Sequence, residues 1–217
     1  MQKLAIFGGT FNPVHRGHLL AAETALCQFN LDQILWVPTY CPSYKNPADL
    51  PDFTHRLAMV RVATSQLQSK TIALVASDFS FAIDTFTVLQ ARYPQSEWYW
   101  ILGLDSFQSL PRWYRRHELI PSCTWLVAPR TSTPLHRVSE PASSDRLSTS
   151  LSTSIGEQVS RTLAAEAISI EWQPLEMPLI DVSSSLVRQY CREGKPIDAL
   201  LPNSVQNYIQ AHHLYQS

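Results

Sequence analysis

Hydrophobic positions along the chain fall into short continuous runs separated by stretches with helical spacing. Residues 4–7 are wholly apolar and stop at Gly8-Gly9, which reads as a short buried strand. From Gly17 to Phe29 the apolar residues Leu19, Leu20, Ala22, Ala25, Leu26 and Phe29 recur with the period of a helix. Residues 33–37 predict a second strand, and a proline-rich loop follows over 38–51. Helices over 55–67 and 84–93 bracket a strand at 71–75, and further buried strands fall at 98–102, ending in Gly103, and at 125–128. Such alternation predicts an α/β fold: a Rossmann-like, doubly wound parallel sheet with helices on both faces, as a single domain over 1–217. Residues 131–154 change character, being rich in Ser, Thr and Pro and poor in bulky apolar side chains. They read as an insertion forming a surface loop or a partly disordered segment. A strand at 168–172 and helices over 183–193 and 202–214 complete the chain, the helices forming a small C-terminal part at about 183–215.

Composition narrows the function. The 217 residues are 45% apolar, enough for a full core, and the formal net charge is -1. No bulk positive field is available to hold nucleic acid or an anionic membrane, so an anionic ligand has to be held by local groups. No run of about 18 apolar residues occurs, so no transmembrane helix is expected. The apolar run at the start is too short for a signal peptide. Cys27, Cys41, Cys123 and Cys191 form no C-x-x-C pair, and no structural disulfide is expected. A cytoplasmic location fits these features. The histidines His55, His117, His136, His212 and His213 show no metal-ligand spacing, and no metal-binding residues are assigned.

Two segments carry chemistry. The first is Gly8-Gly9-Thr10-Phe11-Asn12-Pro13-Val14-His15-Arg16-Gly17-His18, between a strand and a helix. Its glycines allow a phosphate to approach the backbone, and the helix start offers N–H groups to an anion. His15 and His18, one turn apart, can both reach one phosphate. The pattern is neither a Walker A loop nor a G-x-G-x-x-G fingerprint. The second is Val182-Ser183-Ser184-Ser185-Leu186-Val187-Arg188, where serines cap a helix and Arg188 shares a face with Ser184. Alone it reads as an ordinary cap; beside the first segment it reads as a second anion pocket. Ligands of such sheets lie beyond the carboxyl ends of the strands, where Gly8, Gly9 and Gly103 fall.

These two segments resemble the paired signatures of the H-x-G-H nucleotidyltransferase superfamily. Within it the chain resembles bacterial nicotinate mononucleotide adenylyltransferases. Further matching stretches are 42–45, 53–63 with Arg56 and Met59, Ile83-Asp84-Thr85, Gly103-Leu104-Asp105-Ser106, Trp113-Tyr114, 127–130 and 201–215. Tyr44 departs from the histidine that the family commonly has before the lysine of the proline loop, and the insertion is longer than the family core requires.

The resemblance implies adenylyl transfer from ATP to nicotinate mononucleotide, giving the dinucleotide and pyrophosphate, with Mg²⁺ accompanying ATP. Gly8, Gly9, Thr10, Phe11, Gly103, Ser183 and Ser184 would bind nucleotide, and His15, His18 and Arg188 would hold and neutralise its phosphates. Lys45 either reaches in from its loop or is solvated. On the acceptor side, Asp84 can cap the helix that it begins and leave the Thr85 N–H free for a carboxylate. The resemblance gives that carboxylate backbone groups at Thr85 and Tyr114, and stacks the pyridine ring on Trp113. Asp105 either accepts from a ribose hydroxyl or caps a helix. Nicotinamide mononucleotide and pantetheine phosphate are the rival acceptors, a catalytically silent nucleotide sensor is the rival of another class, and self-association is left open.

Overall fold

Six parallel strands form one sheet in the order β3-β2-β1-β4-β5-β6. They are β1 (Gln2–Gly9), β2 (Gln33–Pro38), β3 (Thr71–Ala73), β4 (Ser96–Gly103), β5 (Thr124–Ala128) and β6 (Glu171–Pro174). Among the described residues eight α-helices accompany them: α1 (Arg16–Gln28), α2 (Phe53–Thr64), α3 (Ala82–Arg92), α4 (Leu104–Ser109), α5 (Arg116–Leu119), α6 (Pro141–Ala164), α7 (Ser184–Arg192) and α8 (Asn203–Ala211). This is a computed structural model, and it describes residues 1–40, 50–65, 71–73, 79, 81–129 and 141–216.

Alternation along each strand sorts the core into two layers. On one face Ala5 and Phe7 of β1, Ile34 and Trp36 of β2 and Tyr99 and Ile101 of β4 pack with α1, α2, α7 and α8. On the other, Leu4, Ile6, Leu35, Val37, Trp98, Trp100 and Leu102 pack with α3, α4 and residues Val159, Leu163 and Ile168. The doubly wound sheet expected from the sequence is therefore present. Strand order reverses between β1 and β4, which pair directly with Leu4 against Trp98 and Phe7 against Ile101. The carboxyl ends of these two strands open the crevice at which such sheets bind ligands.

Several expectations need correction. The insertion at 131–154 is not a loop from residue 141 onward, because α6 begins at Pro141; residues 131–140 lie outside the described residues. Leu147, Leu151, Ile155, Val159 and Leu163 recur every four residues. That is a helical stripe, diluted by Ser and Thr, whose weak helix propensity docking can override. Val159 and Leu163 are buried, and Ile155 packs on the same core. The last strand starts at Glu171 rather than at 168, and Ile168 enters the core from the connection before it. Helix α3 starts at Ala82 with Phe81 at its N-cap, so Asp84 lies inside the first turn and does not cap it. The short helices α4 and α5 carry too few residues for a period to show in the sequence.

Gly156 explains how α6 docks. A Cβ at this position would overlap the indole of Trp172 on β6. The Trp172 Nε1 donates to Ser160 Oγ at 3.2 Å, and its ring meets Phe107 of α4 at 5.4 Å. We expect Gly156→Val to cost about 2 kcal/mol by overpacking, lowering Tm by roughly 4–8 °C in a thermal melt. Gly103→Ala, where a Cβ meets nothing within 4 Å, should leave Tm near the wild-type value.

Candidate active site

The loop from Gly8 to His18 is shaped by packing. Phe11 adopts φ 47°, a left-handed conformation that costs a bulky residue about 1–3 kcal/mol. Its buried ring holds it there, wedged against Trp36 at 5.2 Å, Phe7 at 5.5 Å and His18 at 5.1 Å. Gly9 makes room for that ring, since a Cβ there would lie 3.1 Å from it. Gly17 does the same for the His15 ring and for Val182, each 3.1 Å from where its Cβ would be. The glycine between the histidines is thus a packing requirement as well as part of a motif.

His15 and His18 do come together. Their rings stack with centroids 3.7 Å apart and planes at 28°, His15 buried and His18 half-buried. His18 Nδ1 accepts from the His15 backbone N–H at 3.1 Å, which assigns the ring proton to Nε2 and makes that nitrogen a donor. The start of α1 offers fewer N–H groups than the sequence implied. The Arg16 N–H donates to Leu200 O at 3.0 Å and that of His18 to His15 O at 2.9 Å. Gly17 is left as the first-turn donor without such a backbone acceptor among the described residues.

The second segment closes on the first. Ser183 caps α7 by accepting from the Leu186 N–H at 3.1 Å. Ser184 Oγ donates to Pro13 O at 2.9 Å, and Arg188 NH1 donates to Asn12 O at 2.9 Å. Tyr215, near the chain's end, donates from its hydroxyl to Asn12 Oδ1 at 2.7 Å. Burial raises the Tyr215 pKa well above the usual phenol range, so it stays a neutral donor at any physiological pH. Lys45 lies outside the described residues.

Beside the loop a cleft of about 940 Å³ opens over the β1–β4 reversal. Gly8, Gly9, Thr85, Asp105, Trp113 and Tyr114 all line it; His15, His18, Ser184 and Arg188 do not. Gly103 takes the N-cap position of α4 and Asp105 its first turn, so a capping role for Asp105 is not what the structure has. Trp113 is half-buried and Tyr114 is 56% exposed, its ring 4.5 Å from that of Phe81. The Thr85 N–H is not free as expected: it donates to Phe81 O at 3.4 Å. The donors without an intrahelical acceptor in α3 are those of Ala82, Ile83 and Asp84.

The cytidylyltransferase-like family model matches residues 6–190. A curated protein of Nostoc sp. strain PCC 7120, named probable nicotinate-nucleotide adenylyltransferase, is 44% identical over 99% of this chain and 98% of its own. The nicotinate-nucleotide adenylyltransferase of Bacillus subtilis strain 168 is 31% identical, with 100% of both chains covered. This chain belongs to the nicotinate-nucleotide adenylyltransferase family. Plasmodium falciparum nicotinic acid mononucleotide adenylyltransferase, solved in complex with NaAD, shares the fold at a TM-score of 0.72 and 18% identity, covering 99% of this chain and 98% of that one.

Within this member of the family, Arg56 is the residue whose role the sequence concealed. It is 2% exposed and donates to four backbone carbonyls: Thr10 O at 2.9 Å, Thr39 O at 2.7 Å, Tyr40 O at 2.8 Å and Pro51 O at 3.3 Å. It joins α2 to the first signature loop and to the segment after β2. The motif context around Arg56 was visible in the sequence, but carbonyl partners leave no side-chain signal. We expect Arg56→Leu to cost about 3 kcal/mol, since it strips donors from buried carbonyls, and to lower Tm by roughly 6–12 °C. Arg56→Lys, which keeps a cation but loses the fork, should recover part of that loss in the same melt.

Proposed function

We propose that this protein transfers the adenylyl group of ATP to the phosphate of nicotinate mononucleotide, releasing pyrophosphate and forming nicotinate adenine dinucleotide for NAD biosynthesis. The observation that carries this reading is the closure of α7 on the loop between β1 and α1, through Ser184 on Pro13 and Arg188 on Asn12, beside the cleft. It is supported by relatives of that name matching the whole chain.

The acceptor's phosphate oxygen is already anionic at neutral pH and needs no general base. It attacks the α-phosphorus; a new P–O bond forms as the bond to the β-phosphate's bridging oxygen breaks, and the pair of electrons leaves with pyrophosphate. The protein's part is to align the two phosphates and to stabilise the charge moving onto the leaving group. His18 Nε2, the His15 ring and the remaining guanidinium N–H groups of Arg188 are the donors for that charge. Trp113, Tyr114 and the first-turn N–H groups of α3, those of Ala82, Ile83 and Asp84, take the acceptor's ring and carboxylate, and Asp105 takes a ribose hydroxyl.

Among the described residues no group of three or more His, Cys, Asp or Glu side chains is placed to hold a metal ion. The imidazoles, hydroxyls and guanidinium of the site suit phosphate oxygens, so Mg²⁺ belongs to the proposal as part of the ATP substrate, held by phosphate oxygens and water. No described helix is long and apolar enough to cross a membrane. A cytoplasmic location belongs to the same proposal, since ATP and mononucleotides are solutes of that compartment.

Pyrophosphate release from ATP and Mg²⁺ with nicotinate mononucleotide, nicotinamide mononucleotide and pantetheine phosphate in turn tests the reading; release with pantetheine phosphate alone would overturn it. His18→Ala should nearly abolish release in a folded protein. Arg188→Ala should lower kcat/KM by about 2–4 kcal/mol of transition-state stabilisation; unchanged efficiency would remove Arg188 from the phosphate site. Acid should be preferred to amide by roughly ten- to hundredfold in kcat/KM, because an amide turns N–H₂ donors toward the N–H donors of α3. Equal values for the two acceptors would defeat that assignment of the carboxylate while leaving adenylyl transfer standing.

A further inference from the structure

The wall of the cleft formed by α4 and the turn after it contains a hydrogen-bonded chain that the reaction as described does not use. Trp113 Nε1 donates to Ser109 Oγ at 2.9 Å, and the Ser109 hydroxyl donates onward to Ser106 O at 2.7 Å. Ser106, Ser109 and Trp113 all line the cleft. The serine hydroxyl has one proton and spends it on a carbonyl, so the lone pairs that remain can only accept. The indole N–H is the donor that meets them, and the direction of the chain is fixed.

The rest of the Trp113 environment restricts the ring but leaves one freedom. Trp100 and Trp125 stack on one another at 5.5 Å and 20°. Trp113 stands nearly perpendicular to both, at 6.2 Å and 75° from Trp100 and at 5.9 Å and 84° from Trp125. Trp125 is itself pinned, its Nε1 donating to Ile120 O at 3.0 Å. Edge-to-face contacts of this kind are satisfied over a range of centroid distances and do not by themselves fix one ring orientation. A directional hydrogen bond at the indole nitrogen removes that freedom.

We propose that Ser109 is a positioning residue, which locks the Trp113 indole in the orientation that receives the flat ring of the acceptor. This rests on the reading of Trp113 as the stacking surface for the pyridine ring. Ser109 touches neither the phosphates nor the reacting atoms in this scheme, so it acts on acceptor binding and not on the chemical step. Losing one neutral hydrogen bond of this kind lowers an equilibrium about three- to tenfold, and that is the size of effect on acceptor affinity.

Steady-state kinetics on the full chain test this with Ser109→Ala, Ser109→Thr and Trp113→Ala. Ser109→Ala should raise the KM for nicotinate mononucleotide about three- to tenfold, with kcat and the KM for ATP within about twofold of wild type. Ser109→Thr, which restores a hydroxyl acceptor, should recover the wild-type KM. A simultaneous fall in kcat and rise in both KM values would show general loosening and overturn the proposal, as would an unchanged acceptor KM in Ser109→Ala. If Trp113→Ala leaves the acceptor KM unchanged, the stacking reading fails and the role of Ser109 falls with it. A second measurement is independent of turnover. Tryptophan emission should differ between wild type and Ser109→Ala, and the difference should vanish when both carry Trp113→Phe. Finding that difference supports the lock even if no acceptor is turned over, which would count against the proposed reaction alone; finding none overturns the lock.

Discussion

The loop between β1 and α1 is held in one shape by hydrogen bonds to the carbonyl oxygens of residues 10–13. Three of the four are occupied by donors from elsewhere: Thr10 by Arg56, Asn12 by Arg188 and Pro13 by Ser184. Two of these donors are guanidinium groups, so the same bonds that hold the loop bring positive charge to it. Charge-assisted bonds are stronger than neutral ones and gain further in a buried setting. The strained Phe11 backbone, the stacked histidines and the start of α1 all hang on this loop being held in one shape. Arg56 reaches it from α2 on one side and Arg188 from α7 on the other, and neither helix is adjacent to the loop in sequence.

The two halves of the proposed reaction are held by different layers of the protein. Val14, Ala21 and Val187, which carry the loop, α1 and α7, belong to the core on one face of the sheet. Ile83, Phe86, Leu104 and Phe107, which carry α3 and α4, belong to the core on the other. The donors for the triphosphate therefore come from one layer and the cleft wall for the acceptor from the other. The two layers lie on opposite faces of the sheet in which β1 and β4 run side by side. In the proposed reaction this strand pairing would set how nucleophile and electrophile are brought together. Trp100 of β4 lines the cleft and packs on Trp113 and Trp125, so the sheet also sets the angle of the acceptor wall.

That wall is supported from behind by α6. Trp172 lies between Gly156 of α6 and Phe107 of α4, and Arg116 of α5 forms an ion pair with Glu166 after the end of α6. The ion pair is partly exposed and adds little to stability by itself. The tryptophan contact is the stronger restraint, because a helix glycine lets the two surfaces approach to backbone distance. The segment that composition reads as a surface loop therefore continues into a buttress of the cleft wall.

Much of this protein was determined by its sequence alone. The apolar runs of β1, β4 and β5 can only be buried on both faces, which dictates a covered parallel sheet, and the His15–His18 spacing with the Ser183–Arg188 cap marks two candidate anion pockets, which the family resemblance ties to adenylyl transfer. Other features became definite only in three dimensions. Residues 141–154 are helical because Val159 and Leu163 dock on a distant core, a gain in burial that outweighs the weak propensity of Ser and Thr. Asp84 could be taken for a cap, but the helix begins two residues earlier, at Ala82, and the first-turn donors shift accordingly. Arg56 and Tyr215 carry no local pattern, since their partners include an oxygen 46 residues away and an amide 203 residues back, and the local pair of Ser109 with Trp113 gains a role only because both line the cleft. Periodicity reports which side of an element faces the core. Which donor meets which carbonyl is decided by how the packed layers come together.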